Sequence, residues 1–336
     1  MKALYFTGNR SFDLRPSVPQ PPQPGEVQLK VAYCGVCGTD VHLYHGAMAG
    51  RLRLPQVIGH EVAGEITAVG SGATGWRVGD RVTVRPLQPG EEDPSDNGQT
   101  HIGKNLKFMG IDSPGGMQAY WNVPAHTLHR LPENLSLTLG ALIEPLAVAC
   151  HDVRLGELRA GEFVVVLGGG PIGLLIALVA RQRGAHVLVS EINPARRQLA
   201  ETLGLATVDP QEQDLAAHVA TFTDGAMADV LFEVTGATAG VQAMTGLARV
   251  RGRIVLVAIH SEPKPVDLFR FFWRELRLIG ARVYEPEDFE EAIALAAGGA
   301  LPLASLITQI SPLAEAPTVF ETIDRNPAGM KYLLQC

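Results

Sequence analysis

Three short stretches near the start of the chain carry residue types that hold metals. Cys34-Gly35-Val36-Cys37-Gly38-Thr39-Asp40-Val41-His42 is the first, Gly59-His60-Glu61 the second, and Glu144-Pro145 with Cys150-His151 the third. A catalytic zinc site needs about three protein donors of mixed thiolate, imidazole and carboxylate type, with one position left open. Cys37, His60 and a glutamate, either Glu61 or Glu144, would supply that set. Cys34-x-x-Cys37 alone also fits a redox pair or half of a structural zinc knuckle. No second Cys-x-x-Cys exists in the chain, and no thioredoxin-like strand-helix-strand neighbourhood surrounds the first. Glu144 stands in the otherwise apolar run from Leu137 to Ala149, where a carboxylate without a partner or a metal is costly. His60 by itself would read as a hydrogen-bonded structural histidine. His45, His101, His126, His129, His186 and His218 belong to no constellation, and Cys150 and Cys336 read as a core thiol and a bystander.

A second constellation is suited to phosphate chemistry. Gly168-x-Gly170-x-x-Gly173 directly follows the apolar strand pattern Phe163 to Leu167 and opens a helical pattern. The first glycine permits the tight turn, the second lets a diphosphate approach the backbone, and the third lets helix and strand pack closely. The helix N-terminus offers unpaired N–H groups to the phosphates. Glu191 lies 18 positions past the last glycine, at the end of the next strand pattern. It can accept from both hydroxyls of an adenosine ribose and would repel a 2′-phosphate, so NAD is favoured over NADP. Arg196 and Arg197 follow closely and pull the other way. The expected cofactor set is Gly168, Gly170, Pro171, Ile172, Gly173, Glu191 and Arg196; the plain alternative is a strand-to-helix turn with no ligand.

The elements that must hold these groups follow from length and pattern. A chain of 336 residues, 46% hydrophobic and 19% charged, suggests two globular domains rather than disorder. The net charge of −7 and the lack of any basic run longer than two residues exclude a nucleic-acid footprint. Four cysteines make no disulfide scaffold and suit a reducing compartment, and the N-terminal apolar run is too short for a signal peptide, so a cytoplasmic protein is expected. Phe163 to Ala180 is uncharged over 18 residues, near membrane-spanning length, but Gly168-Gly169-Gly170-Pro171 would break such a helix, so no membrane span is expected. Alternation at Val27 to Tyr33, with similar runs at Val62 to Val69 and Arg81 to Arg85, predicts a β-rich first half. Leu87 to Gly103 is polar and turn-rich and predicts an exposed lobe. From Gly161 strands alternate with helices: Phe163 to Leu167, Ile172 to Arg183, Val187 to Ser190, Pro194 to Leu203, Asp229 to Val234, Ala237 to Ala248, Ile254 to Ala258 and Leu276 to Ala281. This rhythm predicts an α/β, doubly wound parallel sheet. The later patterns, Glu287 to Ala297, Ala314 to Ile323 and Met330 to Leu334, are more than one mononucleotide-binding unit needs.

Taken in order, Cys-Gly-x-Cys-Gly-Thr-Asp-x-His, Gly-His-Glu-x-x-Gly at Gly59 to Gly64, Val78-Gly79-Asp80-Arg81-Val82 and Gly-Gly-Gly-Pro-Ile-Gly at Gly168 to Gly173 resemble the zinc-dependent medium-chain dehydrogenases. Glu144-Pro145-Leu146 resembles the sorbitol and butanediol branch. The resemblance implies a GroES-like β-rich catalytic domain, 1–150 completed by 286–336, a Rossmann domain, 151–285, and an active site between them. It implies reversible NAD-linked oxidation of a secondary alcohol (a polyol, diol or sugar derivative) at one catalytic zinc. Thr39 then takes the alcohol proton and His42 passes it to solvent. Asp40 is expected behind His60, and Tyr120 and Trp121 are expected at the substrate pocket or simply in the core. Self-association into a dimer or tetramer through Leu276 to Ala281 is also implied. With no cysteine between Cys37 and Cys150, the lobe is expected to hold no structural zinc. Leu43 and Val283 stand where sorbitol dehydrogenases carry tyrosine and arginine, which argues against sorbitol itself. The rival readings are a metal-free quinone or enone reductase on the same fold and a non-catalytic NAD-binding protein.

Overall fold

A computed structural model describes residues 1–336, apart from the side chain of Ala49. The chain forms two units: Met1–Glu144 with Glu285–Gly299 and Leu303–Cys336, and Pro145–Tyr284 with Ala300–Pro302. In the first, β1 (Lys2–Gly8) and β2 (Ser11–Pro16) make an antiparallel pair, followed by β3 (Glu26–Val36), α1 (Gly38–Tyr44), β4 (Gln56–Val57), β5 (Glu61–Val69) and β6 (Arg81–Val84). Short strands β7 (Leu87–Gln88) and β8 (Lys107–Phe108) flank the polar lobe; β9 (Tyr120–Pro124), β10 (Leu128–Arg130) and α2 (Leu137–Gly140) complete this stretch, and α3 (Ile143–Leu155) starts at its end and runs into the second unit. Val27, Leu29 and Val31 of β3 are buried at 0–1% exposure while Lys30 faces out, as the alternation predicts.

The second unit follows in strict alternation: β11 (Phe163–Leu167), α4 (Pro171–Gln182), β12 (His186–Ser190), α5 (Pro194–Thr202), β13 (Ala206–Val208), α6 (Leu215–Phe222), β14 (Ala228–Glu233), α7 (Thr238–Leu247), β15 (Ala248–Leu256), α8 (Leu268–Arg274) and β16 (Arg277–Gly280). The six strands are parallel, in the order β13-β12-β11-β14-β15-β16. Val165, Leu188, Leu231 and Ile254 from the strands meet Val241, Met244 and Leu247 of α7 in one core. A parallel sheet covered by helices needs such unbroken apolar strands. The uncharged run Phe163 to Ala180 divides at the glycine turn into β11 and α4, and no helix among the described residues is long and apolar enough to cross a membrane.

The chain then returns to the first unit as α9 (Pro286–Ala297), β17 (Ile307–Pro312), α10 (Ala316–Arg325) and β18 (Lys331–Gln335). β18 slots between β17, which it parallels, and β3, which it opposes with Tyr332 across from Val36. The strand pattern at Met330 to Leu334 is visible in sequence, but its partner, some 300 residues earlier, is not.

The lobe is organised by carboxylates. Asp96 accepts from the Lys104 amide at 2.8 Å and the Asp93 amide at 3.0 Å. Asp93 accepts from the Ser95 amide and hydroxyl and from the Lys104 ammonium at 2.9 Å. The Lys104 ammonium first, then Ser95, draws the Asp93 carboxyl down to about 2. Because these bonds are local and exposed, we expect Asp96→Ala to loosen the lobe without unfolding the protein: trypsin should cut after Lys104 several-fold faster while the melting temperature stays nearly unchanged.

Candidate active site

The first constellation closes in space. Donor atoms of Cys37, His60 and Glu61 all lie within 4.8 Å of one another. Cys37 sits at the start of α1, where its amide donates to Asp40 Oδ2 at 2.9 Å. Asp40 Oδ1 lies 3.7 Å from His60 Nδ1, an ion-pair rather than a hydrogen-bond distance, and both atoms are buried without a hydrogen-bond partner. Asp40 therefore fixes Cys37 with one oxygen and faces His60 with the other, in the position expected of it. Burial alone would push the His60 imidazole down, but the Asp40 carboxylate, then Cys37 and Glu144, outweigh it and hold the ring well above its ordinary range. A thiol, an imidazole and several carboxylates converging in a buried pocket make it electronegative and suited to a cation.

Glu61 opens β5 directly across from Gly35 of β3. A Cβ at Gly35 would come within 2.1 Å of Glu61 Oε2, so the motif glycine is there to admit the carboxylate. The partner of this carboxylate was missed in the sequence: Lys331 of β18, 270 positions away, donates to Glu61 Oε1 at 2.5 Å and also to Oε2, and reaches the Val36 carbonyl at 3.3 Å. Both side chains are buried. Burial would lower the Lys331 ammonium, and Glu61 first, then Cys37, holds it above its ordinary range instead. The signal that would have found it is a lone lysine in the apolar strand pattern Met330 to Leu334, the same reasoning that singled out Glu144. Glu144 lies in the first turn of α3, 4% exposed, and acts electrostatically on both His60 and Lys331, but it is not among the three clustered donors. Thr39 is half-buried in α1 and His42 exposed one turn on. Trp121 is buried in β9 with its indole N–H on the Pro114 carbonyl, which fits the core alternative, while Tyr120 is half-buried.

The second constellation is also assembled. Gly168 turns the chain with φ +103°, Gly170 caps α4 and Pro171 is its first residue. A Cβ at Gly173 would stand 1.9 Å from the Gly168 carbonyl oxygen, so no other residue fits there. Ile172 is half-buried beside it. Glu191 is 7% exposed; its Oε2 accepts from the Gly169 amide and its Oε1 from the Asn193 amide, each at 2.7 Å. Arg196 Nη1 is 3.9 Å from Glu191 Oε2, whereas Arg197 is committed to Asp209 at 2.6 Å and to the carbonyls of Glu191 and Ile192.

Two family models match the chain. Residues 23–133 match the model of the alcohol dehydrogenase GroES-like domain and residues 171–298 that of the zinc-binding dehydrogenases. The chain is 52% identical over 337 residues, covering 100% of it and 99% of the relative, to 2-dehydro-3-deoxy-L-galactonate 5-dehydrogenase of Pseudoalteromonas atlantica. Among solved structures, 2R,3R-butanediol dehydrogenase of Bacillus subtilis superposes with TM-score 0.92 at 30% identity, covering 100% of this chain and 99% of that one. A zinc-binding dehydrogenase of Sinorhizobium meliloti, solved with NADP, superposes with TM-score 0.91 at 33% identity, with 100% and 99% covered.

A buried ion pair punishes the loss of one partner more than the loss of both. We expect Glu61→Leu, measured under chelator, to cost about 3–5 kcal/mol by leaving Lys331 charged and unpaired. The double variant Glu61→Leu with Lys331→Met should recover most of that loss in denaturant unfolding.

Proposed function

The chain belongs to the zinc-binding medium-chain dehydrogenases, in their polyol and diol branch, and on that premise we propose that it oxidises a secondary alcohol of a sugar-acid derivative to the ketone, reversibly, with NAD. That it is an oxidoreductase of secondary alcohols follows from its relatives. The sugar-acid substrate is supported by the full-length 52% identity to an enzyme of that specificity. The observation that carries the chemistry is the buried gathering of Cys37, His60 and Glu61. The functional division proposed is 1–150 completed by 286–336 for catalysis and 151–285 for the cofactor.

Cys37, His60 and Glu61 would hold one zinc. A carboxylate has about four lone-pair sites, so Glu61 can keep Lys331 and still turn an oxygen to the cation. Glu144 stands as the reserve carboxylate on the same pocket. When bound, the zinc supplies Lewis-acid polarisation of the substrate hydroxyl, and the nicotinamide supplies the hydride acceptor. The residues of the chain handle the proton. Thr39 accepts it from the substrate hydroxyl while releasing its own to His42, three residues on along the same helix face, and His42 delivers it to water. Asp40 keeps the His60 ring oriented.

Glu191 supports NAD, because a fixed, anionic carboxylate at the adenosine ribose would repel a 2′-phosphate. The NADP-bound neighbour and the nearby Arg196 mark the opposing pull. A second copy of the chain is the proposed partner. α8 exposes Leu268, Phe269, Phe272 and Trp273 by 66–78% beside the sheet-edge strand β16, and such a patch beside an open edge favours pairing. The free thiols fit the reducing cytoplasm.

The test is metal content per chain together with NAD reduction on 2-dehydro-3-deoxy-L-galactonate, 2,3-butanediol and sorbitol. One zinc, chelator-sensitive turnover and preference for the sugar acid are expected; undiminished turnover by zinc-free protein would sink the mechanism. Glu191→Ser should lower kcat/KM for NAD by about a hundredfold, the worth of two hydrogen bonds to a charged group, and narrow or reverse the preference over NADP. Phe272→Glu should shift the mass found by light scattering from dimer or tetramer towards monomer.

A further inference from the structure

The proposed substrate carries a charge that none of the steps above handles. A sugar acid brings a carboxylate to a pocket already rich in carboxylate and thiol donors. Like charges repel at close range, so selecting the acid calls for a cation at the rim of that pocket. Lys331 does not supply it, because it is buried and paired with Glu61.

Two tethers bring one guanidinium beside the metal donors. The first is the chain itself. After α1, which carries Thr39 and His42, the Ala47 amide donates back to the His42 carbonyl at 2.9 Å. Met48 then turns the chain with φ +56°, and Ala49–Arg51 form a single tight turn whose last amide donates to the Met48 carbonyl at 2.9 Å. The second tether starts at His60. Its ring packs at 90° against Phe108, with centroids 5.0 Å apart. The Phe108 amide donates to Asp112 Oδ2 at 2.8 Å, and Asp112 accepts from Arg51 Nε at 2.9 Å and Nη2 at 2.6 Å. The backbone around Asp112 is itself held on the Gly59-His60 motif. The Gly116 amide donates to the Gly59 carbonyl at 2.8 Å, and a Cβ at Gly110 would come within 2.5 Å of that oxygen.

This pair keeps a positive surplus. Burial would raise the Asp112 carboxyl, but the Arg51 bond first, then the Phe108 amide and the charge of Lys107, outweigh it and hold the group below its ordinary range. Two cations therefore face one carboxylate. The Arg51 side chain is 39% exposed, so a ligand can reach it. Asp112 occupies Nε and Nη2, which leaves Nη1 with both of its N–H groups to offer.

We propose that Arg51 binds the carboxylate of the substrate through Nη1 and is the residue that selects sugar acids over neutral diols and polyols. The guanidinium donates to the carboxylate in a charge-assisted and therefore strong bond. Asp112 holds the side chain in place beforehand, so little rotamer freedom is lost on binding. This inference rests on the sugar-acid reading.

Initial rates on 2-dehydro-3-deoxy-L-galactonate and on neutral 2,3-butanediol, for the wild-type chain, Arg51→Ala and Arg51→Lys, test it, with the Kd for NADH as the check that each variant is folded. Arg51→Ala should raise the KM for the acid about thirtyfold, the worth of a hydrogen bond between charged groups, with kcat changed much less. The ratio of kcat/KM for the acid to that for the diol should fall by a similar factor. Arg51→Lys should recover part of the loss, since it returns the charge without the planar fork. If Arg51→Ala fails to bind NADH, Arg51→Gln carries the same expectation. An equal fall on both substrates would overturn the proposal, by making Arg51 a strut of the turn after α1. An unchanged KM for the acid would overturn it as well, by putting the carboxylate elsewhere. If the wild-type chain prefers the diol, the sugar-acid reading falls and this inference with it.

Discussion

The buried pair between Glu61 and Lys331 is the interaction on which the first unit depends. Two opposite charges out of water are tolerable only with good geometry and satisfied partners. Here the lysine meets both carboxylate oxygens and the Val36 carbonyl. That geometry exists only because β18 lies against β3, with β5 on the other side of β3. The last strand of the chain is thus part of the wall of the proposed metal pocket. Gly35 is needed for the same reason, since any side chain there would displace the carboxylate that the lysine neutralises.

The charge balance of the pocket follows from this pair. With Lys331 paired to Glu61, the Asp40 carboxylate, then Cys37 and Glu144, hold the His60 ring above its ordinary range. The pocket keeps an excess of negative and thiol character, the condition for holding a divalent ion with protein donors of mixed type. A lysine at a strand end thereby has a bearing on metal chemistry that its distance in sequence conceals.

The second unit solves a different problem with backbone rather than charge. Its glycine turn brings N–H groups to a point and denies space to side chains, and Glu191 bonds back onto the turn through the Gly169 amide. The residue that would read the ribose also holds the loop that would cradle the phosphates. On the opposite side of β11, Glu233 at the end of β14 lies 3.1 Å from His260 in the segment after β15.

Much of this was legible from the chain. Many strand and helix runs of the second unit could be placed to within a residue or two, because buried parallel strands are unbroken apolar runs and the glycine turn marks their junction with a helix, but the sequence reading had no element at β13, α6 or α8 and began β15 at Ile254 rather than Ala248. The clustering of Cys37 with His60 and a glutamate, Glu61 or Glu144, was legible too, since metal donors of the right types came on short glycine-bearing motifs. Lys331, Glu233 and His260 were not legible, because each is a single polar residue whose meaning lies in a neighbour far along the chain. The same holds for Trp121, whose place in the core depends on a carbonyl at Pro114. Local spacing determines turns, periodicity and which donors sit together on one segment, because these depend on covalent geometry over a few residues. Tertiary structure alone decided which carboxylate lies with the thiol and imidazole, and which cation answers it, because pairing across strands is set by the packing of the whole sheet.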